Sequence, residues 1–211
     1  MNELAHLIAR GLLQIGAIKF NFKEYYTWTS GIKSPVYCDN RISLSNHDLR
    51  SKVRDAYVDI IKNKFSDAEV IAGVATGAIA QGALVADKLD LPFVYVREKR
   101  KDYGLRKIVE GYLKKGQKVV ILEDHISTGG SSIRAYEELR IVEADVLGMV
   151  AAFSYAFPVA KEKFDKNKCK LYTISTFSMI KDVALEEGYI TKEEADRLDE
   201  WHKDISNERL I

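Results

Sequence analysis

Hydrophobic residues recur along this chain at two different spacings. Residues 2–15 carry Leu4, Leu7 and Ile8 at helical spacing, which predicts an amphipathic helix. From about residue 69 onward, short apolar runs alternate with helical patterns. This alternation predicts a mostly parallel sheet covered by helices, because each parallel connection has to cross a face of the sheet.

The apolar runs and their polar flanks set approximate element boundaries. We expect strands at 69–74, 93–96, 118–123, 145–153 and 170–175. We expect helices at about 77–89, 131–142, 158–166, 178–187 and 191–204, the last one opened by a capping box of Thr191 and Glu194. Earlier in the chain, residues 45–48 open a helix that runs to about residue 64. The aromatic segment 22–44 predicts strands around 25–28 and 36–37.

The composition narrows the class of protein. The 211 residues are 46% hydrophobic and 30% charged, which is typical of a soluble globular domain. A net charge of +1 predicts no general binding to nucleic acid or membranes, and no run approaches the about 20 apolar residues of a membrane span. Polar residues interrupt the first apolar stretch, so we expect no signal peptide. Cys38 and Cys169 lack a CxxC context and the histidines lack metal-ligand spacing, which predicts a cytoplasmic protein without structural zinc.

The segment 119–132 carries the clearest functional pattern. Four apolar residues precede Glu123 and Asp124, here called the acidic doublet, which we expect to end a buried strand. The small residues of 127–132 then lead into a helix, where backbone amides and hydroxyls can surround a phosphate and the carboxylates can accept from ribose hydroxyls. The alternative is an ordinary strand–loop–helix joint whose glycines only turn the chain. Neither a P-loop nor a G-x-G-x-x-G spacing is present.

Two further loops follow predicted strands. Residues 73–77 lie between a buried strand and a helix, so their amides face any anion bound there; a tight glycine turn is the alternative. The connection 97–117 is long and rich in Lys and Arg. Long loops in compact domains tend to be lids or binding loops, although a charged run can also be a solvated face.

Three segments together resemble one enzyme family. The 119–132 run resembles the 5-phosphoribosyl-1-diphosphate (PRPP) motif of type I phosphoribosyltransferases. The connection 97–117, here called the charged loop, resembles the Arg-x3-Lys-x-His-Gly segment of orotate phosphoribosyltransferases through Arg97 and Lys101, with Tyr103 in place of the usual His. Residues 26–41, which alone indicate an aromatic β-hairpin, resemble the orotate-side segment of that family, in which the Ser-Gly-x-Lys-Ser-Pro pattern of residues 30–35 recurs. The resemblance covers nearly the whole chain and is closest to the Gram-positive-type branch.

The resemblance implies a fold, a reaction and partners. It implies an α/β domain with a mostly parallel twisted sheet flanked by helices, the type I phosphoribosyltransferase fold. One domain would span 1–211, with a core at about 45–176 and a small hood formed by about 1–44 and part of the C-terminus. The implied reaction joins orotate to PRPP, with Mg²⁺ held mainly by substrate and by no direct protein ligand. A homodimer with shared active sites is also implied.

The resemblance also assigns site residues. The implied catalytic residues are Arg97, Lys101, Tyr103 and Asp124. The implied PRPP-binding residues are Thr76, Arg97, Lys99, Lys101, Tyr103, Glu123, Asp124, His125, Ile126, Ser127, Thr128, Gly129, Gly130, Ser131 and Ser132. The implied orotate-binding residues are Lys33, Tyr37, Arg41 and Ser127, although Arg41 could equally be a surface residue. In this family a non-proline cis peptide commonly occurs in the loop equivalent to 74–77.

The chain departs from the family pattern at three places. Gly77 stands where family members often carry a Lys, Tyr103 replaces a His, and Ser154–Phe157 offers no cation where some branches carry an orotate-binding Arg. These departures leave two other functions open. One is phosphoribosyl transfer to another nucleobase, and the other is a non-catalytic PRPP sensor.

Overall fold

The computed structural model describes residues 2–28, 31–98 and 108–207. Its helices are α1 (Asn2–Gln14), α2 (His47–Lys64), α3 (Ile79–Leu89), α4 (Gly130–Ile141), α5 (Pro158–Lys166), α6 (Phe177–Glu186) and α7 (Lys192–Asn207), and a 3₁₀ helix covers Asn40–Ser45. Its strands are β1 (Ile18–Phe20), β2 (Tyr26–Thr27), β3 (Lys33–Ser34), β4 (Val36–Cys38), β5 (Val70–Val74), β6 (Phe93–Val96), β7 (Val109–Glu110), β8 (Lys118–Ile126), β9 (Asp145–Ser154) and β10 (Leu171–Thr176). The predicted alternation of core strands and helices is confirmed.

Six strands form the central sheet, in the order β10-β9-β8-β5-β6-β7. Neighbouring strands are parallel except β7, which runs antiparallel to β6. All five residues of β5 are buried, and so is most of β8, as expected for strands covered on both faces. The predicted fold class, a mostly parallel α/β sheet, is therefore confirmed.

Helices cover both faces of this sheet. Ile71 of β5 packs in a cluster with α1, α2, α3, α6 and α7, whereas its neighbours Val70 and Ala72 pack with α4 and α5. Successive strand residues point to opposite faces, so one strand serves both clusters. In the described ranges no helix is both long and apolar enough to span a membrane.

The strand order creates a crevice at one point of the sheet. The chain moves from β5 outward to β6 and later returns to the other side of β5 as β8. The junction of β5 and β8 is therefore a topological switch point, where open α/β sheets bind ligands beyond the carboxyl ends of their strands. The loops that follow β5 and β8 meet at this crevice.

The carboxyl end of β8 differs from the prediction. The acidic doublet does not end the strand, because β9 continues beside it as far as the pair of Ile126 with Ser154. On its other side, β8 is last paired with β5 at Leu122. The predicted end was wrong because the polarity of the doublet was used as a stop signal, whereas a neighbouring strand sets the length of β8.

Three short strands, β1, β3 and β7, were not predicted. The connection 97–117 contains β7, which pairs antiparallel with β6 through Tyr95 and Val96. The chain that leaves β6 therefore returns alongside it. β1 pairs with β4 in a separate small sheet. Each of these strands has only two or three residues, too few for an alternating pattern to stand out in the sequence.

The last helix connects the N-terminal strands to the core. The Thr191 and Glu194 capping box at the start of α7 is confirmed by reciprocal side-chain-to-backbone hydrogen bonds of 3.2 and 2.9 Å. Further along α7, Nε1 of Trp201 donates a hydrogen bond to the carbonyl oxygen of Lys33 on β3 at 2.9 Å. The Trp201 ring also contacts Trp28, with ring centroids 5.9 Å apart. α7 therefore holds the strand that carries Lys33.

Candidate active site

The candidate site lies at the switch point between β5 and β8. Residues 75–78 follow β5, residues 127–129 follow β8, and the acidic doublet lies on β8 between these loops. Gly77 and Asp124 line one pocket, together with Asn40 and Gln81. The structure thus brings two of the three loops that the sequence singled out to one crevice.

Small residues shape the beginning of α4. Gly129 has a left-handed backbone conformation, with φ 74°, directly before the first helical residue. A Cβ at Gly129 would also lie 3.3 Å from the ring of Phe164, so both the backbone and the packing favour glycine. In the described part of the chain no side chain caps α4, and the first amides of a helix have no partner within it. Gly130 and Ser131 are exposed, so this helix end is open to an anion.

Glu123, the first member of the acidic doublet, is directed into the protein. It is 4% exposed. Its Oε2 accepts a hydrogen bond from the Ser132 hydroxyl at 2.8 Å, and its Oε1 accepts from the Asp124 backbone N–H at 3.2 Å. Burial, reinforced by the charge of Asp124, raises the pKa of Glu123. The predicted role of the Ser132 hydroxyl as a phosphate ligand needs correction, because this hydroxyl is turned inward to Glu123.

Asp124, the second member, keeps its charge. Its Oδ1 accepts a hydrogen bond from the His125 backbone N–H at 2.7 Å and lies 3.2 Å from Nδ1 of the His125 ring. Burial acts to raise the pKa of Asp124, but the contacts with His125 outweigh it and hold this pKa below its usual range. Burial also opposes protonation of His125, but the nearby carboxylates raise its pKa on balance. Asp124 is therefore the anionic member of the doublet.

Gly77 makes room for the Asp124 carboxylate. A Cβ added at Gly77 would lie 2.0 Å from Oδ2 of Asp124, a distance that no pair of non-bonded atoms tolerates. Any other residue at this position would therefore have to displace the Asp124 side chain. A Lys at this position would likewise require the Asp124 carboxylate to move.

Two side chains hold the backbone of the acidic doublet from outside the sheet. The Tyr57 hydroxyl on α2 donates a hydrogen bond to the Glu123 carbonyl oxygen at 2.5 Å. The Asn40 side chain on the 3₁₀ helix donates to the Asp124 carbonyl oxygen at 2.8 Å. Backbone carbonyls inside a protein need hydrogen-bond donors, and these two side chains supply them near the end of β8. The sequence analysis assigned no site role to Asn40 or Tyr57.

The loop after β5 is tied to the neighbouring strand. Its peptide bond between Ala75 and Thr76 is cis, as the resemblance implies. The Ala75 backbone N–H donates to the Val96 carbonyl oxygen at 2.8 Å. Thr76 in this loop is exposed.

Arg97 lies at the base of the charged loop. Its Nη1 is 3.3 Å from Oε1 of Glu110 on β7, and its backbone N–H donates to the Ile108 carbonyl oxygen at 2.8 Å. Arg97 also lines a pocket together with Ala75 and Ser131, which places it between the loop after β5 and the start of α4. Lys99, Lys101 and Tyr103 lie outside the described residues, so their predicted contacts stay predictions.

The predicted orotate-side residues lie on the N-terminal strands and the 3₁₀ helix. Lys33 is exposed on β3. Tyr37 on β4 is 39% exposed. Arg41 lines the same cavity as Asp124, but its guanidinium already holds both carboxylate oxygens of Asp39, at 2.7 and 2.9 Å. The Arg41 hydrogen bonds hold the pKa of Asp39 below its usual range despite partial burial.

The oxygen ligands of the crevice suit a magnesium ion held mostly by a bound substrate. Within the described ranges, no three His, Cys, Asp or Glu side chains come together as a metal site made by protein alone. Asp124 nevertheless places one hard, anionic oxygen ligand at the cavity wall. Mg²⁺ is commonly bound through one or two carboxylates plus substrate phosphates, and this arrangement fits that pattern.

Comparisons with known proteins agree with this geometry. Residues 44–187 match the family model of the phosphoribosyl transferase domain. The chain is 51% identical to the orotate phosphoribosyltransferase of Bacteroides fragilis over 97% of its own length and 96% of the relative. It is 45% identical to the Staphylococcus saprophyticus protein of that name, over 96% of its own length and 100% of the relative. The crystal structure of orotate phosphoribosyltransferase from Aeropyrum pernix superposes with a TM-score of 0.75 at 27% identity, covering 87% of this chain and 99% of that one.

Proposed function

The chain belongs to the phosphoribosyl transferase family, and from this premise we propose that it transfers the 5-phosphoribosyl group of PRPP to orotate. The products are orotidine 5′-monophosphate and pyrophosphate, so the reaction serves pyrimidine nucleotide biosynthesis. The relatives named orotate phosphoribosyltransferase support this choice, because their similarity extends over almost the whole chain. The enzyme is accordingly a pentosyl-transferring glycosyltransferase.

One observation carries the proposal. The free amides at the start of α4 and the anionic carboxylate of Asp124 lie at the same crevice, at the carboxyl end of one strand. A phosphorylated ribose needs this combination, since its phosphate requires donors and its hydroxyls require an acceptor. A strand–loop–helix joint without function has no need to keep a partly buried carboxylate ionised beside an uncapped helix.

The substrate roles follow from this placement. The 5-phosphate would be bound by the backbone of Thr128–Ser132, and the ribose hydroxyls by Asp124, with Glu123 behind it. Pyrophosphate would be bound by Thr76 and Arg97, with Lys99, Lys101 and Tyr103 closing from the charged loop. Orotate would be bound near Ser127 by Lys33 and Tyr37, and Arg41 would do so only after exchanging its contact with Asp39.

The chemistry is a substitution at the anomeric carbon of ribose. The bond from C1 to pyrophosphate breaks, the electron pair leaves with pyrophosphate, and deprotonated N1 of orotate bonds to C1. An oxocarbenium-like transition state at such a carbon carries positive charge on the sugar. The carboxylate of Asp124 stabilises this charge, and the cations at the opposite side stabilise the charge that grows on pyrophosphate. The protein contributes positioning and electrostatics and requires no covalent nucleophile.

We assign Mg²⁺ as the metal of this reaction, held mainly by diphosphate and ribose oxygens. Asp124 is the protein group that would face it. When bound, the ion neutralises negative charge on the diphosphate.

The direct test follows the absorbance of orotate. Purified protein is mixed with Mg²⁺, PRPP and orotate, and we expect a fall in the ultraviolet absorbance of orotate together with release of pyrophosphate. Asp124→Asn should lower kcat/KM by about 10²-fold, since it removes the charge at the ribose. The matched control is Asp145→Asn, an exposed residue at the distal end of β9, which should retain activity.

A panel of bases separates the proposal from its alternatives. Uracil and hypoxanthine are tested with PRPP under the same conditions. Pyrophosphate release with one of these bases but not with orotate would replace the assigned substrate. Binding of PRPP without turnover of any base would indicate a sensor rather than an enzyme.

A further inference from the structure

Helix α5 lies directly behind residues 127–132, the proposed phosphate-binding loop. The sequence analysis assigned no functional role to this helix. Ala160 packs against Gly129, because a Cβ added at Gly129 would lie 3.5 Å from the Cα of Ala160. One turn along the helix, Nζ of Lys163 donates a hydrogen bond to the carbonyl oxygen of Thr128 at 3.0 Å. Lys163 is half-buried, and no carboxylate forms an ion pair with it in the described ranges. A positive charge is therefore held against the back of the loop.

The contact fixes the orientation of one peptide group. A trans peptide is planar, so the Thr128 carbonyl and the Gly129 N–H point in opposite directions. Since the carbonyl is held towards α5, the N–H points away from α5. A flip of this peptide would change φ of Gly129 by about half a turn, which only glycine accepts at low cost in both directions. The residue type at 129 therefore leaves the peptide free to reverse unless another contact holds it.

A reversed peptide would harm phosphate binding. It would turn the Thr128 carbonyl dipole to the side that the N–H now faces, and it would remove one donor from the loop. A carbonyl oxygen aimed at a phosphate is repulsive, whereas an amide aimed at it is attractive. The strength of the anion site thus depends on which way this one peptide faces.

We propose that Lys163 is a positioning residue for the 5-phosphate of PRPP. Its ammonium group holds the Thr128 carbonyl on the α5 side, so that the Gly129 N–H faces the phosphate, and its charge supports the anion from behind the loop. The proposal rests on the proposed function, since it concerns the phosphate of the same substrate. It assigns to Lys163 no contact with the reacting atoms.

Three variants on one helix test this role. Lys163→Met keeps the length of the side chain but removes the donor and the charge, and Lys163→Arg keeps both. Lys161→Met is the matched control, because Lys161 lies on the same helix, is exposed, and pairs with Asp165 rather than with the loop. For each variant the measurements are kcat, KM for PRPP, KM for orotate, and calorimetric Kd for orotidine 5′-monophosphate and for orotidine, which lacks the phosphate.

We expect a loss confined to the phosphate. Lys163→Met should raise KM for PRPP and Kd for orotidine 5′-monophosphate by about 10-fold, the size expected for one charge-assisted hydrogen bond. The Kd for orotidine, KM for orotate and kcat should change less than about twofold by the same reasoning. Lys163→Arg should restore most of the affinity, and Lys161→Met should match the unmodified protein.

Other outcomes would overturn the role of Lys163. Equal weakening of orotidine and orotidine 5′-monophosphate in Lys163→Met, or affinities equal to those of Lys161→Met, would each do so. A general loss of fold in Lys163→Met is recognised by a lowered melting temperature. In that case the Kd values of Lys163→Arg for orotidine 5′-monophosphate and orotidine decide, and equal weakening of both ligands overturns the role. If the unmodified protein neither binds PRPP nor consumes orotate, the proposed function fails instead.

Discussion

Glu123 and Asp124 carry the same functional group on adjacent residues, and the fold drives their ionisation in opposite directions. Alternating strand geometry directs Glu123 into the protein beside Ser132 and leaves Asp124 at the cavity with His125. Burial raises the pKa of Glu123, whereas at Asp124 the combined hydrogen bonds and charge contacts, mainly with His125, outweigh burial and lower the pKa. The acidic pair in the sequence therefore contributes two different groups. Asp124 is an acceptor whose lowered pKa favours the negative charge, and Glu123 is a buried carboxyl group whose raised pKa favours the protonated form.

The raised pKa of Glu123 predicts how stability depends on pH. The folded state binds a proton that the unfolded state releases, so the free energy of unfolding should fall as pH rises from about 4.5, the ordinary value, to about 8, the raised one. The raised pKa of His125 acts in the same direction, as its stabilising contribution is lost when pH rises through that pKa. Glu123→Gln should flatten this dependence in urea unfolding measured at several pH values.

The control for this measurement is Glu137→Gln. Glu137 is exposed on α4, so its replacement should leave the pH dependence unchanged. An equally steep dependence in Glu123→Gln and in the unmodified protein would show that the Glu123 carboxyl is ionised in the folded state throughout this range.

Gly77 offers a second prediction at the residue scale. Gly77→Ala would place a Cβ 2.0 Å from Oδ2 of Asp124, which forces the carboxylate to move. We expect kcat/KM to fall by about 10- to 100-fold, since displacements near 1 Å have effects of this order. The loss should depend on Asp124, and a double-mutant cycle with Asp124→Asn checks this. If Gly77→Ala costs as much in the Asp124→Asn background as alone, then the two positions act independently.

At the scale of elements, the important feature is the unequal length of two neighbouring strands. β8 continues four residues past Leu122, its last pairing with β5, and ends at Ile126. The exposed edge that results forms the crevice, and Tyr57 and Asn40 donate hydrogen bonds to two successive carbonyls near the end of β8. The sequence could not indicate this, because a strand ends where its neighbours end and those neighbours are far away along the chain.

The hydrogen bond of Tyr57 can be tested by stability. Tyr57→Phe removes the donor to a buried carbonyl while it keeps the ring, and we expect the free energy of unfolding to fall by about 1–3 kcal/mol. Urea denaturation at constant pH measures the change. The same substitution at Tyr112, which is 77% exposed, is the control and should change stability by less than about 0.5 kcal/mol. Equal effects at both positions would show that the Tyr57 hydroxyl contributes nothing.

At the scale of the whole molecule, the arrangement of subunits decides which active site the charged loop serves. The family resemblance implies that this loop serves the site of a second subunit. We therefore predict that inactive Lys101→Ala and Asp124→Ala proteins recover activity when subunits are exchanged between them. Random exchange makes half of the dimers mixed, each with one intact site, so about a quarter of the unmodified activity should return.

The exchange experiment has its own control and contrary outcome. Each variant taken alone through the same exchange procedure should stay inactive. If mixed dimers form, as judged by differently tagged subunits, and activity does not return, then each site is completed within one subunit.

The sequence by itself determined the sheet class, the order of the core elements, the acidic doublet and the run of small residues that leads into α4. These features depend on residues close together along the chain: apolar periodicity, a run of small residues before a helix, and a capping box. Local patterns of this kind hold in any tertiary setting that buries the apolar face.

The tertiary structure alone decided where β8 ends, which carboxyl group of the doublet is buried, why position 77 is glycine, and which side chains stand behind the loops. Asn40, Tyr57 and Lys163 reach the site across 84, 66 and 35 positions of sequence separation. A hydrogen bond over such a distance leaves no periodic trace in the chain, because it depends on how separately formed elements pack together.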